Sequence, residues 1–146
     1  MSPYDTGQKR ILVVDDDRAI LELVSTRLTL AGYDVFTARD GHDALKKLAT
    51  LRPAAMVLDL NMPGLDGFGV LQRMGAEGAA KTPTLVLTAS HAAADVQRAI
   101  KLGARDYLAK PFRDAHLLMR IARVLRGPGK TQSLDATIDS IEQLLG

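Results

Sequence analysis

Four short apolar runs, each ending in an acid, a hydroxyl or a lysine, constrain this chain more than anything else in it. They are Ile11-Leu12-Val13-Val14 before Asp15-Asp16-Asp17, Met56-Val57-Leu58 before Asp59, Leu85-Val86-Leu87 before Thr88, and Tyr107-Leu108-Ala109 before Lys110-Pro111. Aliphatic and β-branched runs of this length, bounded by turn residues, read as strands buried on both faces. Laid parallel in one sheet, they bring Asp15, Asp16, Asp59, Thr88 and Lys110 to its carboxyl-terminal edge, where open α/β sheets bind ligands. Three carboxylates, an ammonium and a hydroxyl in one crevice suit a hard divalent cation and a phosphoryl group.

Helical spacing fills the gaps between these runs. Ile20, Leu23, Val24, Leu28 and Ala31 form one apolar stripe, with Gly32 placed to end the helix. Tyr33 to Thr37 reads as a shorter, alternating strand at a sheet edge. Ala44, Leu45 and Leu48 mark a second helix that stops before Pro53, and Phe68, Leu71 and Met74 a third, after the loop Leu60-Asn61-Met62-Pro63-Gly64. Val96, Ala99 and Ile100 mark a fourth, and Leu117, Ile121, Val124 and Leu125 a fifth. Five β-α units call for an α/β fold: a doubly wound parallel sheet with helices on both faces. The 146 residues suffice for one core of ordinary size and not two.

Composition narrows the class. With 47% apolar and 25% charged residues the chain matches a soluble globular domain. No apolar run approaches the ~20 residues of a membrane span, and residues 1–10 lack the apolar stretch of a signal peptide. Cysteine is absent, so disulfides and thiolate metal sites are excluded. A cytoplasmic protein without membrane contact is expected. The net charge is +2, but the basic residues are spread over several helices without interleaved aromatics, so direct nucleic-acid binding by this chain is not expected.

Gly127-Pro128-Gly129 breaks the fifth helix. Leu134, Ile138, Ile141 and Leu145 then follow at spacings of four, three and four, the seam of a short amphipathic helix. So short a helix is marginal alone in water and needs a partner surface: the domain itself, a second copy or an output module. The expected organisation is a domain over residues 9–126, then a linker and short helix over 127–146.

The acids exceed what local structure requires. Asp17 suits a helix N-cap, but Asp15 and Asp16 beside it repel in a confined place unless a cation offsets them. Magnesium fits, since it takes oxygen ligands and uses one or two carboxylates with water and phosphate oxygens. A carboxylate at Asp59, held ionised by such a cation and by Lys110, can attack a phosphoryl donor. Thr88 serves either as the cap of the fourth helix or as a donor to a phosphoryl oxygen. Lys110, after a buried strand and before a proline, is aimed into the crevice. Gly127-Pro128-Gly129-Lys130-Thr131 is no P-loop: the first glycine of that motif would fall at Val124, and a helix precedes it. His42, His91 and His116 are scattered, with no ligand spacing.

Together, Val13-Val14-Asp15-Asp16, Leu58-Asp59-Leu60-Asn61-Met62-Pro63-Gly64, Leu87-Thr88-Ala89 and Tyr107-Leu108-Ala109-Lys110-Pro111-Phe112 resemble a bacterial response-regulator receiver domain of the chemotaxis-regulator kind, from about Arg10 to Arg126. The resemblance implies a flavodoxin-like sheet of order 2-1-3-4-5. It implies that Asp59 accepts a phosphoryl group from a histidine kinase or histidine phosphotransfer protein. It also implies that Asp16 and Asp59 ligate Mg²⁺ directly, Asn61 through its carbonyl and Asp15 mainly through water. Lys110 would pair with the phosphoryl group across a cis Lys110–Pro111 bond, and Thr88 and Tyr107 would form a switch that alters the face of the fourth helix, fifth strand and fifth helix for a downstream protein. Asn61 and Ser90 stand where the family tunes the lifetime of the aspartyl phosphate. Such a domain is a signalling switch that catalyses only its own phosphotransfer. Haloacid-dehalogenase-type phosphatases share the Asp, Thr, Lys and Mg²⁺, but carry a second Asp two residues after the nucleophile, where this chain has Asn61.

Departures from the family bear on self-association. Arg98, Asp106 and Arg120 fit the charged pattern by which receivers of the winged-helix group dimerise, whereas Lys101 and Arg105 put cations where acids are expected. Any homodimer is expected to form through that face or through the tail helix, and the reversed charges count against the first. The domain is expected to act alone or in a relay, the alternative being the front part of a longer regulator with a DNA-binding or enzymatic output.

Overall fold

The computed structural model describes residues 8–76, 82–89 and 93–127. Five strands alternate with five helices: β1 (Arg10–Val14), α1 (Arg18–Leu30), β2 (Asp34–Ala38), α2 (Gly41–Leu51), β3 (Ala55–Asp59), α3 (Gly67–Ala76), β4 (Thr84–Thr88), α4 (Ala93–Lys101), β5 (Asp106–Ala109) and α5 (Asp114–Arg126). The strands form one parallel sheet of order β2-β1-β3-β4-β5. This is the flavodoxin-like order that the resemblance implied. The tail seam from Leu134 to Leu145, Ser90 and His91 lie outside the described residues.

The strand alternation splits the core into two layers. Leu12, Val14, Met56, Leu58 and Val86 pack with Val70, Leu71, Val96, Ala99 and Ile100 on the face covered by α2, α3 and α4. Ile11, Val13, Val57, Leu85 and Leu87 pack with Val24, Leu28, Leu117, Ile121 and Val124 on the face covered by α1 and α5. All of β3 and β4 is buried, which is why those strands carry no polar alternation.

Two expectations need correction. β2 is as long as its neighbours and does not alternate cleanly, its burial rising from exposed Asp34 to buried Ala38. It is an edge strand whose flank is partly covered by the two layers, so Val35 and Phe36 are both half-buried. In α1 the buried row is Leu21, Val24 and Leu28, while Leu23 is 38% exposed and Ala31 is the C-cap. The row spaced three and four faces the sheet, and a stripe that includes Leu23 is rotated too far toward solvent. Gly32, just past that cap, has φ +100°, a conformation glycine adopts without strain.

Candidate metal and phosphoryl site

Register sets the site. Val14 pairs with Leu58, so Asp15 falls one step beyond it, beside Asp59. Asp59 pairs with Leu87, and Thr88 pairs with Ala109, which brings Thr88 and then Lys110 to the same edge. The backbone continues the alignment past the strands: the Leu60 N–H donates to Leu87 O (3.0 Å), and the Lys110 N–H to Thr88 O (2.8 Å). Asp15, Asp59, Thr88 and Lys110 are therefore placed by sheet hydrogen bonds, whereas Asp16 lies in the turn that leads from β1 to α1.

Carboxylate oxygens of Asp15, Asp16 and Asp59 all lie within 4.8 Å of one another. Asp15 is fully buried and Asp59 is 2% exposed, while Asp16 is half-buried toward solvent. The Lys110 ammonium donates to Asp15 Oδ2 at 2.9 Å and stands 3.5 Å from Asp59 Oδ1. The Asp17 N–H donates to Asp15 Oδ1 (2.9 Å), and the Asn61 N–H to Asp59 Oδ1 (3.2 Å). Asp17 itself caps α1, accepting from the Ala19 and Ile20 N–H groups. The three acids thus divide as the sequence suggested, one to the helix and two to the crevice.

Burial pushes the Asp59 carboxyl up to about 6; the charge of Asp15 adds to this, and the Asn61 N–H and Lys110 oppose it. For Lys110, burial works to lower the ammonium's value, but the hydrogen bond to Asp15 and the charges of Asp59 and Asp15 outweigh it and hold the group above its ordinary range. Three carboxylates face one ammonium, so a negative charge in a water-poor crevice is left over. An all-oxygen donor set with that surplus fits Mg²⁺.

Thr88 is fully buried as the last residue of β4, and Ala89 after it is a bend outside α4. It is therefore not that helix's cap, which removes the local alternative for it. Tyr107, one residue into β5, is 3% exposed and faces inward, and burial raises its hydroxyl above the ordinary value. The Arg120 guanidinium lies 5.7 Å from its ring centroid and holds Asp106 Oδ1 at 2.8 Å. Arg98 stacks over Phe68 at 4.2 Å. All three residues assigned from sequence to a dimer pattern thus have partners within their own chain. The Lys110–Pro111 bond is cis.

Sequence reasoning missed Gly67. Its N–H donates to Leu60 O (3.1 Å), and a Cβ there would sit 2.5 Å from Asp59 O and 2.7 Å from Leu60 Cα. The start of α3 is pressed against the backbone that carries Asp59. The only sequence signal was a glycine at a helix start, which many helices show without such contact.

An acidic trio and a lysine at the switch edge of a 2-1-3-4-5 sheet define a phosphoryl-transfer signalling fold. Residues 11–122 match the family model described as the response regulator receiver domain, and the chain belongs to that family. It is 45% identical over 117 residues to response regulator MprA of Mycolicibacterium vanbaalenii, covering 80% of this chain and 50% of that protein. To transcriptional regulatory protein PrrA of Mycobacterium leprae it is 43% identical over 129 residues, 87% of this chain and 55% of that one. The solved chemotaxis response regulator CheY4 of Vibrio cholerae superposes with a TM-score of 0.75 at 36% identity, covering 80% of this chain and 98% of that one. This chain spans about half the length of the curated relatives it matches. It is a receiver domain of a two-component response regulator, a signalling protein. No helix among the described residues is long and apolar enough to cross a membrane.

Proposed function

We propose that Asp59 is the phosphoacceptor of a Mg²⁺-dependent switch, charged by the phosphohistidine of a sensor histidine kinase or a histidine phosphotransfer protein in the cytoplasm. The observation that supports this best is the bridge of Lys110 between Asp15 and Asp59, with Asp16 within ligand reach of both. Asp15, Asp16, Asp59 and the Asn61 carbonyl would hold the ion, and residues 9–126 would make up the switch domain. When bound, Mg²⁺ neutralises charge on the oxygens of the transferring phosphoryl group.

The protein's own groups do the rest. An Asp59 oxygen forms the new P–O bond as the donor's N–P bond breaks, and the imidazole leaves with that electron pair. Lys110, already 3.5 Å from Asp59 Oδ1, keeps the carboxylate ionised and then meets a phosphoryl oxygen. The Thr88 hydroxyl takes another, and its shift is passed to Tyr107 and so to the face of α4, β5 and α5, where a downstream protein reads it. Asn61 offers no general base two residues past the nucleophile, so the domain is a switch and not a turnover phosphatase.

The test is to incubate the protein with Mg²⁺ and acetyl phosphate and weigh it intact beside Asp59→Ala. One added phosphoryl group, absent in the variant and with EDTA, is expected. No addition to a folded sample would reduce the domain to a constitutive interaction module. A second reading rests on length: since relatives are about twice as long, this receiver is the front part of a regulator with a DNA-binding or enzymatic output. The reading frame that follows Gly146 decides it.

A further inference from the structure

At the opposite edge of the sheet from the acidic site, residues that include Leu71, Met74, Pro83, Leu102 and Arg105 line a groove of about 320 Å³. Its walls are mostly apolar, and its cationic rim is Arg105, with exposed Lys101 next to Leu102. The receiver chemistry described above uses none of these residues. Arg105 also reaches the end of α5, its Nη1 standing 3.5 Å from Val124 O. The chain therefore leaves the fifth helix beside this rim.

Nineteen residues follow Gly127, and their pattern complements the groove. Leu134, Ile138, Ile141 and Leu145 share one side at helical spacing. Asp135, Asp139 and Glu142 each directly follow a seam residue, so they form a stripe about 100° around from it. Residues 128–146 carry one lysine against these three acids, whereas 93–127 carry eight Lys and Arg against three Asp. An apolar seam flanked on one side by acids matches an apolar groove with cations on its rim. Six residues separate Gly127 from Leu134, and the seven steps between them span up to about 23 Å, so reach is no obstacle.

We infer that residues 131–146 dock in cis on this groove, Leu134, Ile138, Ile141 and Leu145 against Leu71, Met74, Pro83 and Leu102, with Asp135, Asp139 and Glu142 toward Lys101 and Arg105. Tethering raises the local concentration of the segment to roughly millimolar, so a contact too weak to hold a free peptide is populated. The tail then covers the end of α4, an element of the switch face, and competes with any partner that uses it.

The chain's lack of cysteine makes a single introduced thiol addressable. Ala76→Cys is suitable, since that exposed residue at the end of α3 adjoins the groove without lining it. With a nitroxide on that thiol, amide signals of residues 134–145 are expected to fall to about half or less at low salt. Lys101→Glu with Arg105→Glu should restore them, and adding Asp139→Lys with Glu142→Lys should bring the loss back. Lys101→Glu alone serves if the Arg105 change loosens α5. Undiminished tail signals in a folded protein would overturn the inference. So would losses seen only when spin-labelled unenriched protein is mixed with unlabelled ¹⁵N protein, which would assign the contact to a second copy.

Discussion

Asp59 is the residue at which folding and function oppose each other. Its folded-state value, about 6, lies above the ordinary carboxylate value of 3.8 because burial penalises the charge. Between those values the folded protein binds more protons than the unfolded chain, so the contribution of this group to stability falls as pH rises through the window. Asp59→Asn removes that loss. In metal-free buffer its stability relative to the parent should grow from pH 4 to pH 7, by on the order of 2 kcal/mol, in urea titrations at several pH values. Mg²⁺ at pH 7.5 should stabilise the parent and leave the variant nearly unchanged, since the ion offsets the charge that Asn lacks. A difference independent of pH would mean that Asp59 is strained by its packing and not by its charge. Lys110→Met tests the other side of the pair: Asp15 and Asp59 would keep their burial without their cation, and acetyl-phosphate labelling should slow by about tenfold or more.

At the scale of elements, the ion pair of Asp106 on β5 and Arg120 on α5 decides how the switch face is held. Both side chains are largely buried, and Asp106 Oδ1 also accepts from the Tyr107 N–H. Arg120→Ala leaves a buried carboxylate without its cation and should cost about 3 kcal/mol, while Arg120→Leu with Asp106→Asn should cost much less. Chemical denaturation of the two proteins checks this. Sequence reading recognised these residues as a charged set but gave them a partner in another chain, because a side chain's pairing depends on how α5 lies over the sheet. The strands were legible for the opposite reason. β1, β3 and β4 are covered on both faces, so burial writes itself into unbroken runs such as Met56 to Leu58, and β2 was misjudged where an edge relaxes that demand. The convergence of the candidate site residues was legible because register aligns strand ends, whereas Gly67's part was not, since it lies in a backbone approach that no spacing records. Gly67→Ala should destabilise the domain by about 2 kcal/mol and reduce labelling of Asp59 together with it.

Over the whole molecule the charge is segregated. Residues 1–92 carry ten Lys and Arg against eleven Asp and Glu, while residues 93–127 are strongly cationic. The excess therefore gathers on α4, α5 and the loops flanking β5, with one of its cations, Lys110, engaged at the acidic site. With the tail released, two copies meeting through this face about a two-fold axis would each present Lys101 and Arg105 to a cationic surface, because an isologous contact uses the same patch on both sides. Asp106 cannot relieve this, being engaged by Arg120 in its own chain. Phosphorylation adds its negative charge at the far end of the sheet, largely screened over such a distance at physiological salt. The phosphorylated domain is therefore expected to sediment as a monomer near 0.15 M salt. Lys101→Glu with Arg105→Asp should let it associate, and high salt should weaken that association again. A phosphorylated parent that dimerises through α4, β5 and α5 would show that apolar contact around exposed Met119 outweighs the charge. A monomer whose state is unaffected by the double substitution would instead show that charge alone does not set the partner. The outcome decides whether this face is read by a second copy or, as its cations favour, by an acidic surface of another protein.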